Sequence, residues 1–144
     1  MAIIWQHQSE NKRYKVTRAG NTVRLYRDGV CHSQWNPSKP FQGHLWDLFC
    51  LSIFNLAVKK ILVLGVGGGT VINSLMTIFP SANVISIDND KVHLHIAKEY
   101  FGVNARCKLI NHDVNTWLKK QNNKTYDVII DDVFLKKHAC HFAL

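Results

Sequence analysis

Strand-like and helix-like stretches alternate from about residue 60 onward, and a short, wholly apolar run there closes in a cluster of glycines. The first 35 residues are instead patterned as β structure and end in a breaker cluster, Asn36-Pro37-Ser38-Lys39-Pro40. Together these features predict an α/β fold: a doubly wound parallel sheet with right-handed crossovers, C-terminally shortened, behind a small N-terminal β-hairpin segment. At 144 residues the chain has the size of one domain. Its expected parts are a β segment over 1–40 and an α/β unit over 41–144.

Each element has a local reason. Tyr14 to Arg18 and Thr22 to Arg27 alternate in part, and Ala19-Gly20-Asn21 supplies the turn between them. Arg27-Asp28-Gly29 offers an Asp-Gly hairpin turn into Val30-Cys31-His32. Between Phe41 and Leu56, residues Leu45, Leu48, Phe49, Ser52 and Ile53 approximate a helical stripe. Ile61-Leu62-Val63-Leu64 is continuously apolar, as expected of a strand buried on both faces. Thr70 to Phe79 reads as a helix stopped by Pro80, and Asn83 to Ile87 as a strand ending at Asp88. Asp90 is the expected N-cap or first-turn acid of a helix over Lys91 to Phe101, closed by Gly102. Lys108 to Asn111, Asn115 to Gln121 and Asp127 to Ile130 follow as strand, helix and strand. Trp5, Trp35, Trp46 and Trp117 are read as core or interface residues.

Composition narrows the function classes. Hydrophobic residues make up 47% and charged residues 19%, an ordinary balance for a packed globule rather than a disordered chain. No apolar run reaches the roughly 18 residues of a membrane span. MAIIWQHQ does not read as a secretory signal, so a cytoplasmic setting is expected. Cys31, Cys50, Cys107 and Cys140 show no CxxC spacing and are expected as free thiols. The net charge is +8, with six of the 18 Lys and Arg residues in the first 27 positions. No RRM signature, zinc-finger spacing or basic–aromatic interleaving accompanies them, so they read as a solvated surface rather than a nucleic-acid site. His138, Cys140 and His141 lack a CxxC or carboxylate partner, and no metal is expected.

ILVLGVGGGTVINSLM, residues 61–76, carries the most chemical information. Strand, glycine turn and helix follow in the order of a nucleotide-binding, Rossmann-like first βα unit. Gly65 would permit the tight turn, Gly67 a close backbone approach to a ligand, and Gly69 close helix–strand packing. The helix N-terminus beyond it would turn unpaired N–H groups toward the ligand. Thr70 replaces the last glycine of the dinucleotide fingerprint, leaving GxGxG, while Asp88 lies 23 positions after Gly65, near the spacing of a ribose-binding acid. The plainer alternative is a glycine turn that only packs helix on strand. For Asp131 and Asp132 the alternatives are a solvated strand end or the crevice where open α/β sheets bind ligands.

Five segments, in order and spacing, carry a resemblance. They are RDGV at Arg27 to Val30, GVGGGT at Gly65 to Thr70, VISIDND at Val84 to Asp90, NHDV at Asn111 to Val114, and YDVIIDDVF at Tyr126 to Phe134. With them the chain resembles the spermidine synthase (polyamine aminopropyltransferase) family, a branch of the class I S-adenosylmethionine-dependent methyltransferase-like fold. The resemblance implies a nucleoside co-substrate, S-adenosylmethionine or its decarboxylated form. It places Gly65, Gly67 and Gly69 against that ligand, Asp88 on the ribose, and Asp113 with Val114 at the adenine. Asp132 matches the family's catalytic aspartate, which orients and deprotonates the attacking amine, and Asp131 and His32 fall on the acceptor side. The partners implied are a small-molecule amine or other nucleophilic acceptor and further copies of the chain, without membrane or nucleic acid.

The chain also departs from the family pattern. Ser86 stands where the family has a Glu, and His32 where it has a Gln. Phe41-Gln42-Gly43 replaces an acceptor-binding Tyr-Gln-Glu, and Leu135 replaces a second active-site acid. Two other readings therefore stand beside aminopropyl transfer: a methyltransferase on a non-polyamine acceptor, and a non-catalytic remnant acting as a binding or oligomerisation module.

Overall fold

The structure, a computed structural model, describes residues 1–9, 11–54, 56–103, 107–121 and 126–133. His138, Cys140 and His141, the fourth-strand motif's Phe134, and Leu135 lie outside the described residues.

Four antiparallel strands form the N-terminal sheet: β1 (Ala2–Ser9), β2 (Lys12–Ala19), β3 (Thr22–Arg27) and β4 (Val30–Trp35), paired in chain order. Both predicted turns are present, with positive φ at Gly20, Asp28 and Gly29. Alternation works as the period of a strand requires: Tyr14, Val16, Val23 and Leu25 bury one face, where Ile96 and Phe101 cover them. The β3–β4 pairing slips one residue at His32: Leu25 faces Ser33 and Tyr26 faces Cys31. His32 is therefore the extra residue of a β-bulge, a device that re-aims a side chain.

The second sheet is parallel: β5 (Lys60–Leu64), β6 (Asn83–Asp88), β7 (Cys107–Asn111) and β8 (Val128–Asp131), in the order β7-β6-β5-β8. Helices α2 (Thr70–Ile78) and α3 (Lys91–Glu99) connect β5 to β6 and β6 to β7, and α4 (Val114–Lys119) leads to β8. One face of β5, with Ile61 and Val63, packs on Val71, Ile72 and Leu75 of α2. The other, with Leu62 and Leu64, packs with Ile87 on Trp117 of α4. Both faces of β5 are thus covered, which is why residues 61–64 are apolar without alternation. The doubly wound parallel sheet and its antiparallel N-terminal companion agree with the sequence reading.

The first helix differs from expectation. α1 covers only Leu45–Leu51, because Asp47 Oδ2 accepts hydrogen bonds from the backbone N–H groups of Gln42, Gly43 and His44 at 2.8, 2.7 and 3.1 Å. That acid turns the chain at 42–44 and starts the helix late. Its buried side carries Cys50, with Ile53 beyond it, so Leu45, Leu48 and Leu51 of the region face outward at 57–69% exposure. Cys31, Cys50 and Cys107 are free thiols, and no helix among the described residues is long and apolar enough to cross a membrane.

Candidate functional site

The C-terminal ends of β5, β6 and β8, the N-termini of α3 and α4, and the β4 bulge converge on one cavity of about 130 Å³. Gly65, Gly67, His32, Asp88, Asp113, Val114 and Asp132 lie on its wall, together with Arg27, Asp90 and His93. The parallel order reverses beside β5, and open α/β sheets form ligand crevices at such a switch point. Two sequence-predicted residues stand apart. Gly69 is the N-cap of α2, and Asp131 is exposed with Oδ1 accepting from the Val133 N–H at 3.2 Å; neither lines the cavity.

The glycine turn is held by its neighbours. Gly65 has φ +92°, and its N–H donates to the Ile87 carbonyl at 2.8 Å. A Cβ on Gly67 would meet Ser33 Oγ at 2.8 Å, so that glycine's bare side faces the N-terminal sheet. Gly68, to which the sequence reading assigned no role, packs against Phe101 and Ser33, and its N–H donates to Ser33 Oγ at 2.6 Å. Thr70 completes the junction: its hydroxyl donates to the Gln34 carbonyl and accepts from the Gln34 N–H, both at 3.0 Å. Strand β4 thus fastens the whole turn from outside the parallel sheet.

Asp88 organises the turn from inside. Its Oδ2 accepts from the backbone N–H of Val66 at 3.0 Å and Gly67 at 3.4 Å, and from His93 Nδ1 at 3.1 Å. Its Oδ1 accepts from the Asp90 N–H at 2.8 Å. Burial works against the charged form, but the His93 and backbone donors outweigh it and hold the carboxyl below the usual range. Asp90 is the N-cap of α3, as the sequence indicated, with Oδ1 accepting from the Val92 N–H. Its Oδ2 also accepts from Lys12 Nζ at 2.8 Å and the Tyr14 hydroxyl at 2.6 Å. Burial opposes ionisation here too, yet these two donors bring the Asp90 pKa down to about 2.

Asp113 proves to be the N-cap of α4, its Oδ1 accepting from the Thr116 N–H at 2.8 Å, a bond that lowers its pKa. Asp-x-x-Thr ahead of an apolar turn was the available sequence signal for that cap. Ser86 is fully buried, and its hydroxyl donates to the carbonyls of Val63 and Gly65, so it faces the sheet.

Asp132 behaves differently from the other acids. No described residue donates a hydrogen bond to its carboxyl, and burial, reinforced by the charges of Asp131 and Asp88, pushes its pKa up to about 6. His32, aimed inward by the bulge, is pushed down to about 4 by burial, with Arg27 and His93 adding to the effect. Near neutral pH the cavity therefore holds a neutral imidazole and a carboxylate whose proton affinity suits general-base work.

Relatives carry a similar chain. A polyamine aminopropyltransferase of Leptospira interrogans is 26% identical over 140 residues, covering 90% of this chain and 27% of that protein. The crystal structure of a probable spermidine synthase from Corynebacterium glutamicum matches 94% of this chain and 54% of its own, at TM-score 0.78 and 18% identity. The chain resembles the spermidine synthases in sequence and in fold. A spermidine synthase solved in complex with the transition-state analogue AdoDATO matches 90% of this chain and 47% of its own, at TM-score 0.66 and 18% identity. The spermidine-synthase-like chain spans less than a third of the length of the curated relatives it matches. No family model matches it.

Proposed function

We propose that this chain is a spermidine-synthase-like transferase that binds a sulfonium nucleoside and transfers an aminopropyl group to an amine. The observation that carries the reading is the Asp132 carboxyl: on the cavity wall beside the glycine turn, unpartnered among the described residues, with its pKa raised to about 6. Gly65 and Gly67 would face the nucleoside, Asp113 would accept from the adenine amino group through Oδ2, and Val114 would pack beside it. Asp88 keeps the turn in shape, leaving Oδ1 with capacity for one ribose hydroxyl.

An alkylamine has a pKa of roughly 10, so it arrives protonated. Asp132 would take one ammonium proton; a neighbouring carboxylate also favours the charged amine, so exclusion of water and fixed alignment must assist the release. The freed nitrogen lone pair then forms a bond to the carbon beside the sulfonium sulfur. The carbon–sulfur bond breaks with its electrons on sulfur, and a neutral thioether leaves.

Calorimetric titration with S-adenosylmethionine, its decarboxylated form and methylthioadenosine tests the reading. The expected result is preference for the decarboxylated ligand, with all three ligands bound more weakly by Asp113→Ala and turnover of putrescine rising as pH passes about 6. Asp132→Asn should abolish turnover while the nucleoside still binds. Absence of binding to any of the three would overturn the reading in favour of a non-catalytic module.

A second reading, methyl transfer to a non-polyamine acceptor, draws support from the 42–44 turn. There Asp47 is tied to three backbone N–H groups and lies off the cavity, so no acid of that turn serves a dication. Preference for S-adenosylmethionine over its decarboxylated form would select it.

A further inference from the structure

Five buried side-chain polar atoms among the described residues lack a hydrogen-bond partner, and only one, Nε2 of His93, belongs to a residue on the cavity wall. His93 is 5% exposed. Its Nδ1 lies 3.1 Å from Asp88 Oδ2, and an ionised carboxylate has no hydrogen to give, so Nδ1 carries the hydrogen. Nε2 is then the unpaired nitrogen, a bare lone pair in the neutral ring and an N–H in the protonated one. The ring cannot easily turn away. Tyr14 meets it edge-on at 5.8 Å between centroids, and His32 lies against it at 6.3 Å.

Most neighbouring acceptors are engaged elsewhere. Asp88 Oδ2 already serves Val66, Gly67 and His93, and Asp90 serves Lys12, Tyr14 and Val92, while Asp88 Oδ1 holds the Asp90 N–H and has room for one more donor. Ser86 is turned into the sheet. An orphaned ring nitrogen in so buried a place points to a group that arrives with the ligand.

We propose that Nε2 of His93 forms a hydrogen bond with a hydroxyl of the bound ligand, a ribose hydroxyl if the ligand is a nucleoside. His93 is then a specificity-determining residue held in its tautomer by Asp88. The inference rests on the nucleoside reading given under Proposed function. A site with a buried, unpaired polar nitrogen rejects an analogue that lacks the hydroxyl, because the nitrogen stays unpaired after water is expelled.

Calorimetry on the full chain, wild type and His93→Asn, with methylthioadenosine and its 2′-deoxy and 3′-deoxy analogues, tests this. Asparagine keeps an N–H close to the Nδ1 position for Asp88 and has nothing at Nε2. Wild type should bind one deoxy analogue at least about tenfold more weakly than the parent. His93→Asn should bind the parent more weakly by a similar factor and discriminate the analogue by less than about twofold. His93→Gln, with a polar atom near Nε2, should recover part of the discrimination. Undiminished discrimination in His93→Asn would overturn the inference alone, as would equal binding of all three ligands to wild type. Failure of methylthioadenosine to bind the folded wild type would overturn this inference, and failure of S-adenosylmethionine and its decarboxylated form as well would overturn the nucleoside reading with it. If His93→Asn does not fold, wild-type discrimination and its change in His93→Gln decide the matter.

Discussion

The backbone of Asp132 passes so close to Gly65 that a Cβ on the glycine would stand 2.5 Å from the Asp132 carbonyl oxygen. The Asp132 N–H donates to the Leu64 carbonyl at 2.8 Å, so the loops after β5 and β8 are laced together at the cavity floor. The tight turn expected of Gly65 exists, and its second purpose is to admit the residue proposed as base.

Gly65→Ala follows directly. Its φ of +92° disfavours any side chain, and the methyl group would displace the Asp132 backbone. The expected loss is about 2 kcal/mol or more in urea unfolding. Nucleoside affinity should fall with it, because the cavity floor must move. A variant with unchanged stability and affinity would contradict this packing.

Asp88→Ala should cost more than the removal of a ligand contact. It strands the buried N–H of Val66 and Asp90 and the Nδ1–H of His93, for a loss of about 3 kcal/mol by chemical denaturation. Hydrogen exchange at Val66 should accelerate. If the variant keeps wild-type stability and loses only binding, Asp88 is a ligand acid rather than the anchor of the turn.

The acids predict opposite pH trends. Asp90 has a pKa lowered to about 2, so its contribution is complete above the unfolded value near 3.8 and fades as pH falls toward 2. Asp90→Asn should therefore destabilise by about 2 kcal/mol at pH 6 and much less at pH 2. Asp132 is raised to about 6, so the folded state holds its proton longer and stability declines as pH climbs from about 4 to 6. Asp132→Asn should be more stable than wild type at pH 7 by about 2 kcal/mol, with no gain at pH 4. Urea titrations at these pH values separate the two.

Ser33→Ala removes the acceptor of the buried Gly68 N–H, 35 positions away. The expected effect is about 1–2 kcal/mol of lost stability and faster amide exchange at Gly68. Unchanged exchange there would show that β4 does not fasten the glycine turn.

Much of this architecture is local and therefore legible. The non-alternating run 61–64, the glycines after it and the acids at the strand ends follow from strand period and turn chemistry within a few residues of one another. Asp88, Asp113 and Asp132 fall at the mouth of one crevice because each ends or follows a parallel strand. The Asp90 cap was readable for the same reason. The α1 stripe held at Phe49 and Ile53, which meet the core, and misled at Leu45, Leu48 and Ser52, because spacing alone does not tell which side of a short helix is buried and Asp47 was free to set a different start.

The tertiary structure decided what depends on distant partners. No local pattern brings Lys12 and Tyr14 to Asp90, 78 and 76 positions away, or Ser33 to Gly68. The role of Ser33 and the inward aim of His32 both go with a one-residue slip between β3 and β4, which the alternation of the two strands does not announce. His93 shows the same division. Its place on α3 was plain from the sequence, but the pairing of one ring nitrogen with Asp88, and the burial that leaves the other without a partner, exist only once helix, strand and N-terminal sheet close around it.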